Sequence, residues 1–353
     1  MHHRRNQIVF KKRLLKNIIL GVALGVVGGF GLSQQVQADN NTEKADFEIQ
    51  PITSVAQVDT SLRYYDLKFK PGTKNTIKMR IQNFTDKKIT VNSELQNGMT
   101  QVGGDMKFQS STKGLDPSAK VPLTTIASVE KSARTIHLDP QETRVVEAEI
   151  KMPSENFNGM IAGGWKFTEH LENKTTDQTI SSNYAYMVSI NLRGSHYKVY
   201  PELKYASTKP ILYDSRPAMG IKIRNTQPMV LKNVHFKAVI SKAGLFSDNR
   251  LYEKEGSSMA PNSSVTLPVS WAYDNMKAGT YKVAVKVTGE NLWNKLPMSW
   301  TFKKSFKVSK AEAASLNKRS LQRPTNKWLY VIAANGVLLL VAAYGLYRVI
   351  KIG

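Results

Sequence analysis

Short runs that alternate apolar and polar residues follow one another along most of this 353-residue chain. The runs Ile77 to Ile81, Ile89 to Val91 and Val145 to Ile150 place apolar side chains at every second position, the period of a strand with one buried face. Turn-forming pairs such as Pro71-Gly72 and Asp139-Pro140 separate these runs. No stretch between residues 47 and 308 has a convincing 3.6-residue period. The pattern therefore predicts an all-β protein built from β-sandwiches.

A weak internal repeat divides this β region in two. The strand IKMRIQN (77–83) resembles IKIRN (221–225), and each precedes a polar turn and another strand. Later in each half a proline turn leads into a strand, in LDPQETRVVEAEI (138–150) and MAPNSSVTLPVSW (259–271). This order predicts two tandem immunoglobulin-like β-sandwich domains, at residues 47–192 and 196–308, after a flexible segment at 39–46.

The first 38 residues have the three parts of a secretory signal. They contain six Lys and Arg residues and no acidic residue, and an uncharged run extends from Asn17 to Leu32. Val36-Gln37-Ala38 then offers the small and β-branched residues that a signal peptidase reads. The pattern predicts cleavage after Ala38, and an uncleaved anchor is the alternative.

A second uncharged segment lies near the C-terminus. The 20 residues from Trp328 to Tyr347 carry no charge, and as a helix they would extend about 30 Å, the thickness of a bilayer core. A basic stalk at 309–327 precedes the segment, and the tail 348–353 contains Arg348 and Lys351. The positive-inside rule then predicts a single-pass membrane protein with an outer N-terminus and a cytoplasmic tail.

Composition narrows the possible functions. The chain has no cysteine, which excludes disulfides, thiolate nucleophiles and cysteine-ligated metals. The 50 Lys and Arg residues exceed the 27 Asp and Glu residues, so the surface should attract polyanions. The export signals and the absence of a basic helix or an aromatic-interleaved motif argue against nucleic acid as the partner. Anionic cell-wall polymers and lipid headgroups are the expected polyanions.

Catalytic motifs are missing. Histidines outside the N-terminal signal are scattered, and the close His/acid pairs are His137 with Asp139 and Glu169 with His170. The first pair would share a face of a strand and could ligate a metal, but a solvated pair before a turn is the simpler interpretation. No G-x-S-x-G elbow or phosphate-binding glycine loop is present. The sequence therefore predicts a protein that is not an enzyme and has no cofactor, metal site or catalytic residue.

Three local features are candidates for partner binding. The first is Gly159, Gly163 and Gly164, dense glycines that predict either close strand packing or a glycine-lined edge for a partner strand or glycan. The second is Asn97-Gly98, predicted to begin a polar loop that is either a binding loop or an ordinary hairpin turn. The third is Trp293, either an exposed contact residue or a buried one.

Several longer motifs in a fixed order resemble the WxL-interacting proteins of Gram-positive bacteria. The motifs are DLKFKPGTKNTIKMRIQN (66–83), MPSENFNGMIAGGWKF (152–167), RGSHYKVYPELK (193–204), IRNTQPMVLKNVHFKAVI (223–240), MAPNSSVTLPVSW (259–271), KAGTYKV (277–283) and AEAASLN (311–317). The resemblance implies a first domain that binds peptidoglycan or the wall-attached region of a WxL-domain protein. It implies a second domain that binds host matrix components and WxL partners.

The leading hypothesis is a non-catalytic, membrane-anchored adaptor that binds WxL-domain proteins and peptidoglycan at the cell surface. An adhesin that binds host matrix proteins through the second domain is the alternative. A wall hydrolase is a third hypothesis, and it would require His137 and Asp139 to act together.

Overall fold

A computed structural model describes residues 46–170, 184–243, 249–321 and 327–352. Within these ranges the chain forms seventeen strands and four helices. We call the part that holds β1 to β10 the first half. Its elements are β1 (Phe47–Ile52), β2 (Tyr65–Leu67), β3 (Lys74–Asn83), β4 (Ile89–Thr100), β5 (Met106–Gln109), α1 (Leu123–Ile126), β6 (Ala127–Val129), α2 (Lys131–Arg134), β7 (Thr135–Leu138), β8 (Thr143–Lys151), β9 (Met160–His170) and β10 (Ala185–Arg193).

We call the part that holds β11 to β17 and the next helix the second half. Its elements are β11 (Leu203–Tyr213), β12 (Arg216–Asn225), β13 (Leu231–Lys242), β14 (Asn249–Met259), β15 (Ser263–Ser270), β16 (Gly279–Asn291), β17 (Pro297–Val308) and α3 (Lys310–Arg319). A last helix, α4 (Lys327–Ile352), follows.

Each half consists of two sheets that share one hydrophobic core. In the first half the sheets have the orders β1-β3-β8-β6 and β2-β10-β9-β4-β5, with β7 also paired to β4. Phe47 and Met79 from the first sheet pack in the same core as Trp165 and Ile190 from the second. In the second half the orders are β11-β12-β15 and β14-β13-β16-β17 around a second core. The all-β prediction is confirmed, and the immunoglobulin-like arrangement stays a prediction.

The internal repeat has an atomic counterpart in two fully buried asparagines. Asn83 ends β3 and Asn225 ends β12. The amide of each donates to the carbonyl oxygen four residues later, at 2.8 Å in both cases. Each amide also donates to a carbonyl in the proline turn of its own half, that of Asp139 at 2.9 Å or Ala260 at 3.1 Å. Because a buried amide must be satisfied, each asparagine ties a strand end to a distant turn.

The predicted basic stalk at 309–327 begins with a packed helix. A capping box starts α3, in which the Ser309 side chain accepts a hydrogen bond from the backbone of Glu312 and the Glu312 side chain accepts one from Ser309. One turn later, Ala313 and Leu316 are buried in the second core. Their three-residue spacing places both side chains on one helix face, so this part of the segment belongs to the second half.

Helix α4 contains the predicted span at 328–347 and is 26 residues long. The helical conformation is therefore as predicted. Within the described residues, however, no helix combines the length and the apolar character that crossing a membrane requires. The predicted crossing is thus not supported by the structure. Residues 1–38, with the predicted cleavage after Ala38, lie outside the described residues.

Candidate functional site

The hairpin between β4 and β5 reaches from the first half into the second. At its base the hydroxyls of Thr100 and Ser263 are 2.5 Å apart. At its tip the Gly103 backbone N–H donates to the carbonyl oxygen of Thr266 at 2.8 Å. The next residue, Gly104, has a φ of +102°, and a Cβ there would lie 2.4 Å from the Ser257 hydroxyl oxygen. A glycine is required at this point because the two halves approach too closely for any side chain.

Polar side chains from β14 hold the same hairpin. The carboxylate of Asp105 accepts hydrogen bonds from Lys254 and from Ser257, the latter at 2.9 Å. The bond from Lys254 is the main reason that the pKa of Asp105 lies below its usual range. The Tyr252 hydroxyl donates to the Gly103 carbonyl oxygen, and burial raises the pKa of this tyrosine to about 12. These contacts fix the position of the two halves relative to each other.

A second connection is an ion pair between the buried Asp116, which follows β5, and the partly exposed Arg224 on β12. The guanidinium donates two hydrogen bonds to the carboxylate, at 2.6 and 2.8 Å. The Ser118 backbone and hydroxyl and the Ser264 hydroxyl also donate to it. Burial alone would raise the pKa of Asp116, but the bonds from Arg224 and Ser118 outweigh it and lower the pKa to about 2. Asp116 therefore stays ionised at neutral pH.

A cleft of about 350 Å³ opens between the halves beside this ion pair. Residues of β4, β9 and the loop before α1 supply most of its wall, and two turns of the second half supply the rest. The lining residues are Asn97, Gly98, Leu115, Ser118, Ala119, Lys120, Val121, Pro122, Leu123, Phe157, Asn158, Met160, Ile161, Ala162, Thr226, Pro228, Pro261 and Asn262.

The cleft combines an apolar wall with a few polar groups. Asn97 is occupied in holding the wall, because its side chain donates to the Thr124 hydroxyl at 2.8 Å and accepts from the Thr124 backbone at 3.0 Å. Ser118 accepts a hydrogen bond from Asn262 across the two halves. Lys120 is exposed and pairs with no carboxylate in the described part of the chain. Its ammonium group is thus available to an anionic group of a ligand.

The prediction that Asn97 and Gly98 begin a loop is wrong. Both lie in β4, and Asn97 is buried. A Cβ on Gly98 would lie 3.1 Å from the Ala162 carbonyl oxygen, so this glycine serves strand packing and does not form a turn. The actual turn lies at Gln101 to Asp105, where Gly103 also has a positive φ. Both predicted residues nevertheless line the cleft.

The glycines Gly159, Gly163 and Gly164 serve close packing, as one of their two interpretations predicted. Strand β9 pairs with β4 on one side and β10 on the other, so the alternative of a free edge for a partner strand is wrong. A Cβ on Gly163 would lie 2.2 Å from a Leu123 methyl carbon, and one on Gly164 would lie 2.5 Å from a methionine sulfur. Gly159 has a φ of +66°, and its Cβ would meet the Pro228 carbonyl oxygen at 2.1 Å.

Trp293 lies in a small apolar cluster that joins the two halves. It is half-buried against the buried Met160 and Met229. Its Nε1 donates to the Val199 carbonyl oxygen at 2.9 Å, and its ring packs edge-on against Tyr200 at 5.2 Å between centroids. Of its two predicted interpretations, the structure favours packing over an exposed contact residue.

The histidine pairs do not form a catalytic arrangement in the described residues. His137 Nδ1 lies 3.1 Å from the Thr90 hydroxyl, whereas Asp139 pairs with Lys88 at 2.9 Å. The two members of the predicted pair therefore have separate partners. The side chain of His170 lies outside the described part of the chain.

The sequence pattern did not predict a cluster of possible metal ligands on neighbouring strands. It consists of His235, Glu253 and Glu255, whose ligand atoms lie within 4.8 Å of one another. Glu253 also accepts a hydrogen bond from Lys237 at 3.0 Å, so a cation of the protein already occupies part of this cluster. Asp116, Arg224 and Lys120 were missed as well, because Asp116-Pro117 carries only a turn signal and the partners are far apart in sequence.

Two family models match the chain in succession, and their boundary falls before β10, which the structure places in the first half. Residues 47–169 match the family described as the WxL Interacting Protein, peptidoglycan binding domain. Residues 175–318 match the WxL Interacting Protein, host binding domain. No curated protein matches the chain.

The solved structures that match the chain include chaperone proteins. A chain of the Salmonella enterica SafA pilin–SafB chaperone complex has 10% identity and a TM-score of 0.33, over 74% of this chain and 98% of that one. The E. coli chaperone DraB has 12% identity and a TM-score of 0.29, over 74% and 95%. The YadV chaperone has 13% identity and a TM-score of 0.31, over 75% and 100%.

Proposed function

Since the chain belongs to the WxL-interacting protein family, with a peptidoglycan-binding domain followed by a host-binding domain, we propose that it is a non-catalytic surface adaptor. In this proposal the cleft between the two halves binds a segment of peptidoglycan. The same molecule captures WxL-domain proteins and presents them near the wall. The observation that carries the proposal is the cleft, because it lies mainly on residues of the peptidoglycan-binding domain.

The size and lining of the cleft support this assignment. Its volume of about 350 Å³ falls in the range of roughly 300–1,000 Å³ that ligand pockets occupy. Peptidoglycan consists of N-acetylated amino sugars joined to short peptides that carry carboxylates. Phe157 and Met160 offer apolar contact to a sugar or a peptide side chain, while Asn158 and Thr226 offer amide and hydroxyl groups. The unpaired Lys120 suits a carboxylate of the peptide.

Sedimentation with peptidoglycan stripped of its anionic polymers tests the cleft. Ala119→Trp should block it by adding a large side chain to a partly exposed wall position, and Lys120→Gln should remove the cation while keeping the fold. Lys113→Gln is the matched control, because Lys113 is also exposed but lies outside the cleft. We expect reduced binding for both cleft variants and unchanged binding for the control. Unchanged binding of Ala119→Trp would contradict the proposal.

Attachment to a membrane is a further part of the proposal. Its support is the 20-residue uncharged run inside α4 and the exposure of the apolar side chains along that helix, among them Leu338, Leu340 and Ile350. Washing isolated membranes with alkaline carbonate tests whether α4 anchors the chain. The intact chain should remain in the membrane pellet, and a chain that ends at residue 321 should be released. Release of both would refute anchoring by α4.

Host adhesion is the second candidate function, favoured by the match of residues 175–318 to a host-binding domain. It predicts saturable binding of the full chain to immobilised matrix proteins, and this binding should survive Ala119→Trp because Ala119 lies outside residues 175–318. Absence of binding at micromolar concentration would reject this function without affecting the adaptor proposal.

A further inference from the structure

The positive charge of the chain is concentrated in the second half. Residues 196–308 contain 18 Lys and Arg residues against 7 Asp and Glu residues, whereas residues 47–192 contain 17 against 16. The two halves therefore differ strongly in net charge although they share an architecture. A charge excess of this kind raises the local concentration of polyanions around the second half.

The register between β16 and β17 arranges part of this charge in a line. Successive cross-strand pairs on the solvent face are Thr280 with Lys307, Lys282 with Ser305, Ala284 with Lys303, and Lys286 with Thr301. Each pair contributes one lysine, and the lysines alternate between the two strands. All four are exposed. We call Lys307, Lys282, Lys303 and Lys286 the lysine ladder.

The partners of these lysines differ from those on the solvent face of β3 and β8 in the first half. There Lys78 lies opposite Glu147 and pairs with it at 2.7 Å, and Lys74 pairs with Glu149, which lies diagonally across, at 2.5 Å. In the lysine ladder the opposing residues are hydroxyls or alanine. No carboxylate in the described part of the chain pairs with any ladder lysine.

The neighbouring strand does not neutralise the ladder either. Lys282 lies opposite Ser241 of β13, and Ala284, in the same row as Lys303, lies opposite Val239. Lys286 lies opposite Lys237, whose own charge is paired with Glu253 at 3.0 Å. Four uncompensated ammonium groups in one row repel one another, and a bound chain of anions would remove that repulsion.

We propose that the lysine ladder binds a linear phosphodiester polymer that lies along β16 and β17. Three steps of two residues give the ladder a length of roughly 20 Å, at about 3.3–3.4 Å per residue. A single row fits a chain with one charge per repeat better than it fits a planar lipid surface, which would contact a broad patch. Ammonium groups act as point charges for phosphate, and the hydroxyls of Thr280, Ser305 and Thr301 can donate to phosphate oxygens.

This site is independent of the cleft, which contains none of the ladder residues. The adaptor would then contact the wall in two ways, through peptidoglycan at the cleft and through an anionic polymer at the ladder. Failure of either assignment leaves the other unaffected, because stripped peptidoglycan tests the cleft and a free phosphate polymer tests the ladder.

The test uses the full chain in mild detergent and a short synthetic poly(glycerol phosphate) as the probe. If four phosphates are neutralised, the association constant should fall about 50-fold between 50 and 200 mM salt, at roughly 0.7 released ions per contact for a single-stranded polyanion. Replacing all four ladder lysines by threonine, which suits a strand, should lower affinity at least about tenfold at low salt and flatten this salt dependence. Replacing them by arginine should preserve both.

The matched control removes four exposed lysines from the first half: Lys68, Lys70, Lys107 and Lys113. It has the same net charge as the ladder variant and should bind nearly as well as the unmodified chain. An equal loss in the control, or no loss in the ladder variant, would overturn the proposal. Tighter ladder-dependent binding to heparin or to vesicles of phosphatidylglycerol than to poly(glycerol phosphate) would also overturn it. The threonine variant could aggregate because β17 is a sheet edge. In that case the double variant Lys282→Thr and Lys286→Thr on β16 replaces it, and this variant should also bind poly(glycerol phosphate) more weakly and with a smaller salt dependence.

Discussion

The ion pair between Asp116 and Arg224 predicts a pH-dependent stability that can be measured directly. The perturbation is Asp116→Asn, which keeps the shape of the side chain and removes its charge. The carboxylate is fully buried and accepts hydrogen bonds from Arg224, Ser118 and Ser264. An amide cannot accept all of these bonds, and it leaves the guanidinium without a counter-charge.

Two separate arguments give similar values for the stability that Asp116→Asn removes. The pKa of Asp116 falls from 3.8 to about 2 on folding, which corresponds to about 2 kcal/mol at roughly 1.36 kcal/mol per unit. Loss of one member of a buried ion pair costs about 3–5 kcal/mol when the other stays buried. Arg224 is 34% exposed and can regain water, so the lower end applies. We expect a loss of about 2–3 kcal/mol in the free energy of unfolding at pH 7.

The sign of the pH dependence follows from the lowered pKa. The Asp116 carboxyl group binds a proton less tightly in the folded state than in the unfolded state. Its contribution to the free energy of unfolding is therefore complete above pH 3.8 and disappears as the pH falls toward 2. Urea unfolding of the Asp116→Asn variant and of the unmodified chain between pH 7 and pH 2.5 measures this pH dependence. The difference between Asp116→Asn and the unmodified chain should shrink steadily below pH 4. Asp139→Asn is the control, because that carboxylate is exposed and its one ion-pair partner among the described residues is Lys88.

Two results would refute this reasoning. One is equal stability of Asp116→Asn and the unmodified chain at pH 7, which would mean that the pair contributes nothing net. The other is a stability difference that stays constant down to pH 2.5, which would trace the loss to packing and not to charge.

Three further predictions concern the cores. Burial, together with the nearby charge of Asp46, raises the pKa of Glu169 to about 7. The stability that the protonated Glu169 carboxyl contributes is therefore complete below pH 4.5 and is lost as the pH rises toward 7. Glu169→Gln should raise the free energy of unfolding at pH 8 by up to about 3 kcal/mol and change it little at pH 4.5, as urea titrations would show. Gly163→Ala should cost about 1–3 kcal/mol in thermal unfolding, because the new methyl meets a Leu123 side chain and a backbone oxygen. Leu316→Ala should cost about 2–5 kcal/mol, because α3 packs this side chain into the second core.

Each of these has its own control. For Gly163→Ala the control is Gly336→Ala, where a Cβ would meet nothing within 4 Å. For Leu316→Ala it is Leu321→Ala, because Leu321 is exposed. For Glu169→Gln the internal control is the pH: a stability gain that is the same at pH 4.5 and pH 8 would show that ionisation is not responsible.

Much of the fold is predictable from local pattern. The alternation in residues 77–81, 89–91 and 145–150 identified strands β3, β4 and β8, because one buried and one exposed face impose a two-residue period. The repeated Asn and Pro positions marked two similar halves. Burial of Asn83 and Asn225 explains why an asparagine recurs at the end of the corresponding strand.

The functional surfaces were less predictable, and Asn97-Gly98 shows why. Asn-Gly is a strong local signal for a hairpin turn, yet here it lies in a paired strand. The neighbour that leaves little room for a side chain is Ala162, 64 residues away in the sequence, whose carbonyl oxygen would lie 3.1 Å from a Cβ on Gly98. Local sequence indicates that the backbone needs a glycine, but not whether a turn or a neighbouring strand is the reason.

The sequence by itself determined the all-β class, the two similar halves, the excess of positive charge and the family. Tertiary structure alone decided the cleft, the pairing of Asp116 with Arg224 and the lysine ladder. Strand periods arise from short-range sterics and burial, so they can be read along the chain. Cross-strand partners depend on register, and a slip of one residue in either strand would turn that strand's two ladder lysines toward the core. Only the folded chain fixes the register between β16 and β17, and with it the row of lysines that can bind a partner.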